Sequence, residues 1–243
     1  MPVDVVVFDL DDTLYAEHDY VKSGFQAVSR WLEDTHGTPG FFDASWELFT
    51  SGRRGKVFDE ALAALKCDAS SERVGECVRV YREHDPAITL FEDAVWALDH
   101  VRGRWRTALL TDGWLGVQQR KVAALGLAPR LELRVYSDAF GREHWKPDAL
   151  PYETVTRTLP VTPERCLYVA DNPAKDFVTA RKLGWRTARV ARAGGEYNAP
   201  AKDASWDAER VVDDLRALEA LPVRRRVAVV TRGGARSTRW RRT

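Results

Sequence analysis

No apolar run in this chain approaches the ~20 residues that a membrane-spanning helix needs. The first ten residues, MPVDVVVFDL, lack a basic segment ahead of their apolar stretch, and Asp4 interrupts it. A secretory signal is therefore not expected, and a cytoplasmic protein is. Cysteine is scarce. Cys67, Cys77 and Cys166 are odd in number and widely spaced, which excludes a disulfide framework and a zinc ligand set and suggests three buried thiols. With five histidines and no His/Cys cluster, transition-metal chemistry has no obvious ligands. Internal repeats are absent. Acidic residues are missing from the C-terminal end. From Arg224 to Thr243 there are eight arginines and no acid. The whole chain carries +1, so residues 1–223 carry about −7. A mildly acidic body with a basic extension results. The tail is expected to be flexible, with at most a nonspecific affinity for polyanions. Nucleic acid is otherwise not an expected partner.

What is present is enough for a core: 44% of 243 residues are hydrophobic. Val3 to Asp9 reads as a strand buried on both faces, because its apolar run is continuous rather than alternating. Residues 16–88 then show helical spacing, as at Val21, Phe25, Val28 and Leu32, and again over Val57–Leu65 and Val74–Tyr81. Breakers separate these helices: HGTPG, SGRRG and DPAITL. From Glu92 the texture becomes alternating. Strands at Arg106–Asp112, Leu131–Asp138, Arg165–Asp171 and Trp185–Ala191 are interleaved with helices at 92–101, 115–125, 149–158 and 174–183. A weak strand and helix follow over 209–220. That rhythm means an α/β fold with a Rossmann-like parallel sheet. Residues 1–15 and 89–221 form the expected core, 16–88 an inserted helical cap domain, and 222–243 the tail.

In an open α/β sheet, ligands bind beyond the carboxyl ends of the strands. Asp9, Thr111 and Asp171 each sit at such an end, and Lys146 lies in the loop after the third core strand. Two carboxylates ~4 Å apart repel by several kcal/mol at an effective dielectric near 20. Asp9 and Asp171 therefore call for a hard divalent cation with oxygen ligands, and Mg²⁺ fits best.

DLDDTL, Thr111, Lys146 and DNPAKD follow the order and spacing of four catalytic motifs. In these the chain resembles the haloacid dehalogenase (HAD) superfamily, over roughly residues 3–14 and 90–220. The resemblance implies that Asp9 is a nucleophile forming an aspartyl-phosphate. Asp11, two residues on and on the same side of extended backbone, is the implied general acid and base. Asp11 also argues for a phosphatase over a dehalogenase, because halide leaves without a proton. Thr111 and the amides of Asp112 and Gly113 are expected to donate to phosphate oxygens, and Lys146 to offset charge. Asp9, the Asp11 carbonyl and Asp171 are the implied metal ligands, with Asn172 and Asp176 behind them. Asp12 is expected to face solvent or cap the turn, and Thr13 to hydrogen-bond locally. Arg53 and Arg54 could clamp an anionic substrate, although solvated surface is the blander reading. RAGGEYNAP, after Ala191, carries no assignable motif. The expectation is an Mg²⁺-dependent phosphatase for a small-molecule phosphate monoester, a sugar phosphate or nucleoside monophosphate. Alternatives are a phosphomutase of the same superfamily and, more remotely, a receiver-like phospho-signalling domain.

Overall fold

A computed structural model describes residues 2–196 and 199–220. The basic tail, residues 222–243, lies outside the described residues. The chain divides into two compact units. Of the described residues, one, the sheet unit, comprises 2–14, 91–112, 129–196 and 199–220; the other, the helical unit, comprises 15–90 and 113–128.

The sheet unit is built on six parallel strands: β1 (Val5–Phe8), β2 (Arg106–Thr111), β3 (Leu133–Tyr136), β4 (Cys166–Ala170), β5 (Arg186–Val190) and β6 (Arg210–Val212). Their order is β3-β2-β1-β4-β5-β6. β1 is therefore central, and all four of its residues are buried, as its unbroken apolar run requires. Val5 and Val7 pack with Ala108, Leu110, Tyr168 and Trp185 in one core cluster. The Asp9 amide donates to the Val169 carbonyl at 2.9 Å, so the β1–β4 ladder extends to the first catalytic candidate.

The helical unit contains α1 (Glu17–His36), α2 (Phe41–Thr50), α3 (Val57–Ala64), α4 (Ser71–Glu83) and α6 (Leu115–Ala124). Its core is Val28, Leu32, Phe41, Ala61, Leu62 and Cys77. Gly24 of α1 lies against the Tyr81 ring of α4, so closely that a methyl group there would overlap it. Gly37, at φ 62°, ends α1 by donating its amide back to Glu33. The sheet unit adds α5 (Glu92–Val101), α7 (Leu150–Thr158) and α8 (Phe177–Lys182).

Several expectations need correcting. α2 was not anticipated: its aromatic-rich FFDASWELFT sits between two glycine-containing breakers. α6 groups with the helical unit rather than with the core. α8 begins three residues late, because residues 172–176 form a hydrogen-bonded turn instead. The terminal helix is a short 3-10 segment, Leu215–Ala220. Cys77 and Cys166 are buried, and burial pushes their thiols up to about 11 and about 12, but Cys67 is only half-buried. No helix among the described residues is long and apolar enough to cross a membrane.

Candidate active site

Asp9 and Asp171 are the residues immediately after β1 and β4, and those strands are hydrogen-bonded neighbours. The two acids are thus delivered side by side by the sheet itself. Lys146 reaches them from the loop between β3 and α7 and is fully enclosed. Its three protons meet three acceptors: Asp9 Oδ1 at 2.7 Å, Asp176 Oδ1 at 2.7 Å and the Tyr168 hydroxyl at 2.9 Å. Burial alone would depress the Lys146 ammonium. The carboxylates of Asp176 and Asp9 outweigh it and hold the group well above the ordinary lysine value. Burial pushes Asp9 up to about 7, against the pull of Lys146, with Asp176 adding repulsion. Asp171 is raised well above its ordinary range by burial, then by Asp176, Asp9 and Asp12.

Oxygens of Asp9, Asp171 and Asp176 approach within 4.8 Å of one another. They are not equivalent. Asp176 has both oxygens engaged: Oδ1 by Lys146, with Tyr168 at 3.3 Å, and Oδ2 by the Asn172 amide at 3.0 Å. It orients Lys146. Among the described residues, no protein group donates to Asp9 Oδ2 or Asp171 Oδ2. These two oxygens remain for a ligand. The charge balance agrees. Among the described contacts, Asp9, Asp171, Asp176 and Asp112 outnumber the two ammonium groups that touch them, Lys146 and Lys175, by two when all are ionised, and Asp11 and Asp12 add to the negative field. An all-oxygen donor set with that excess fits one hard divalent cation.

Thr111 closes β2 and is buried, its hydroxyl 3.4 Å from the Asp112 carbonyl. The Asp112 side chain turns inward. It accepts from Ser137 (2.7 Å), the Lys146 amide (3.1 Å) and Lys175 (3.1 Å). Although burial opposes it, those partners hold Asp112 below the usual carboxylate range. Ser137, Lys175 and Tyr168 are thus site residues that sequence reading missed. Only Lys175, inside DNPAKD, carried any signal. Gly113 follows at φ 116°, a conformation that favours glycine, and belongs to the helical unit.

Asp11 is half-buried in the turn after β1, and its charge contributes to raising Asp9. Asp12 is buried, not solvent-facing. It takes φ 50° and accepts from the Glu196 amide at 3.2 Å. Thr13 does not bond locally through its hydroxyl, which reaches across the sheet to Asp171 Oδ1 at 3.4 Å. Asn172 does not touch the first motif through its side chain. Its Oδ1 accepts from the Ala174 amide and shapes the turn leading to Asp176. Arg53 and Arg54 lie in the helical unit and have local partners: Arg53 pairs with Glu60 at 3.4 Å, and Arg54 caps the Phe49 carbonyl at 2.8 Å and covers its ring.

The sequence profile of haloacid dehalogenase-like hydrolases matches residues 3–184, three-quarters of the chain. The chain belongs to the haloacid dehalogenase-like hydrolase family. Among HAD-like relatives, a phosphoserine phosphatase from Thermus thermophilus is 32% identical over 140 residues, 57% of this chain. The matched stretch spans only 55% of that phosphatase. A glyceraldehyde 3-phosphate phosphatase from Methanopyrus kandleri is 26% identical over 204 residues, 80% of this chain and 86% of its own. Among solved HAD structures, the magnesium-bound YfnB of Bacillus subtilis superposes with a TM-score of 0.62 at 16% identity, covering 90% of this chain and 97% of its own. A 2-haloacid dehalogenase from Pseudomonas syringae gives 0.62 at 21% identity, with the same coverage. At such identities these likenesses establish the fold alone.

Proposed function

We propose that this HAD-like hydrolase is an Mg²⁺-dependent phosphatase acting on a small-molecule phosphate monoester through an aspartyl-phosphate. The observation that carries this reading is the pair of unengaged oxygens, Asp9 Oδ2 and Asp171 Oδ2, in a site where carboxylates outnumber the ammonium groups that touch them. Such a site suits a cation-bridged phosphate dianion better than a neutral carbon centre. The two phosphatase relatives support it.

In this reading Lys146 steadies the Asp9 carboxylate through Oδ1, and Asp9 attacks phosphorus. The bond from phosphorus to the ester oxygen breaks, and the Asp11 carboxylic acid gives that oxygen its proton. The resulting Asp11 carboxylate then takes a proton from water. The water oxygen attacks phosphorus, and the Asp9–phosphate bond breaks to release inorganic phosphate. Lys146 and the amides beyond Thr111 balance charge on the phosphoryl oxygens. Asp9, the Asp11 carbonyl and Asp171 would hold Mg²⁺, which when bound neutralises phosphoryl charge. A sugar phosphate or nucleoside monophosphate is the expected substrate class.

The test is a panel of phosphate monoesters, with phosphoserine and glyceraldehyde 3-phosphate included, assayed for released phosphate with Mg²⁺. At least one ester should turn over, and Asp9→Asn should abolish that turnover while the melting temperature stays near the parent's. Undiminished activity in Asp9→Asn would refute the mechanism, and no turnover of any ester would refute the phosphatase reading.

A further inference from the structure

Two residues of the stretch after β5, Arg192 and Glu196, which carry no recognisable motif, reach the turn that holds Asp11. Arg192 donates through Nη2 to the Thr13 carbonyl at 2.9 Å. Its Nη1 pairs with Asp93 Oδ2 at 3.0 Å, and its guanidinium lies 3.9 Å from the centre of the Phe91 ring. Asp93 is itself fixed, because the same oxygen accepts from the Leu215 amide at 2.8 Å. Four residues on, the Glu196 amide donates to the Asp12 carboxylate. All of these residues belong to the sheet unit.

The turn needs this support. Asp12 is one of two described non-glycine residues in the left-handed region, where side chains are strained and persist only if the surroundings impose the conformation. Other described ties on the turn are the Leu14 amide to Leu10, the Phe91 amide to the Leu14 carbonyl and the Thr13 hydroxyl to Asp171. None of them holds the Thr13 carbonyl. Only Arg192 does so among the bonds described, and it does so with a planar fork whose other arm is anchored on Asp93. A lysine ammonium could not replicate that two-armed geometry.

We infer that Arg192 is a positioning residue for Asp11, fixing the turn from which that acid protonates the leaving group. The inference rests on the phosphatase reading above. Arg192 has no bond to Asp9, Lys146 or Asp171, so nucleophilic attack itself should survive its loss. Proton delivery should not, and only substrates that need a proton on the departing oxygen should suffer.

Leaving-group dependence separates this role from a merely structural one. The parameter is kcat/KM, which covers the steps up to departure of the alcohol and so excludes the later hydrolysis of the phosphoenzyme. Arg192→Met should lower kcat/KM for an alkyl phosphate by about 10–100-fold, the scale of a displaced general acid. For p-nitrophenyl phosphate, whose phenolate leaves unaided, it should change by less than about 3-fold. Arg192→Lys retains a cation for Asp93 and guards against a folding failure; it should show the same selective loss with a melting temperature near the parent's. Equal losses on both esters, or a Lys variant indistinguishable from the parent on the alkyl ester, would overturn the role. A parent that hydrolyses neither ester would overturn the phosphatase reading and this inference with it.

Discussion

Replacing Lys146 by methionine keeps most of the side chain's volume and deletes its charge. Asp9 and Asp176 would then be buried carboxylates without their ammonium, and the Tyr168 hydroxyl would lose its donor. Removing one partner of a buried ion pair costs about 3–5 kcal/mol. At about 2–4 °C per kcal/mol for a chain of this size, that is a fall of roughly 6–20 °C in melting temperature. The loss must depend on pH. Asp9 has its folded pKa raised to about 7, so the folded state holds this proton more tightly than the unfolded chain does. Stability from the neutral acid is complete below the ordinary carboxylate range and is lost as pH rises through about 7. Without Lys146 the ionised form is costlier still. Melts of parent and variant in EDTA should therefore differ more at pH 8 than at pH 5.5. Adding Asp176→Asn should recover part of the pH 8 loss, since it removes one uncompensated charge. An equal deficit at both pH values, or none at pH 8, would refute the electrostatic account of this lysine.

Two further outcomes follow from the geometry. Asp171→Asn leaves one unengaged carboxylate oxygen where there were two; it should abolish Mg²⁺-dependent stabilisation in thermal melts and depress activity together, and a parent fully active in excess EDTA would contradict the metal reading. Gly24→Ala forces a methyl into the Tyr81 ring and should destabilise the helical unit by about 1–3 kcal/mol, read as a lower melting temperature, whereas an unchanged melt would show that α1 and α4 separate easily.

Much of the sheet unit was legible because its signals are local. Four apolar residues in a row announced β1, and carboxylates at strand ends announced where chemistry could occur. The class of each element followed from period and breakers. α2 escaped because Gly40 opens it in a left-handed conformation and its aromatic residues mimic strand composition. The site was legible in its chemically distinctive members and obscure in its supports. Thr13 finds its partner 158 residues away, and Arg192 its carbonyl 179 residues away, and no periodicity encodes such pairings. Asp12 looked exposed because its offset from Asp11 turns it off the catalytic side. Its burial is supplied by a loop that only the fold brings near.

The strand order also sets a timetable for synthesis. β1 is made first and lies in the middle of the sheet, yet its neighbours are encoded from Arg106 and from Cys166. A growing chain must keep its most apolar strand without a partner for about a hundred residues, and half-paired for some sixty more. At the ribosome's pace of about 5–20 residues per second, that is a wait of roughly 8–30 s with an aggregation-prone edge exposed. Asp171 and Asp176 arrive at the close of the same interval, so a nascent fragment displays Asp9 long before it has the acids that complete the site. Expression of this protein should consequently be sensitive to chaperone supply and to growth temperature in a way that its finished stability would not reveal.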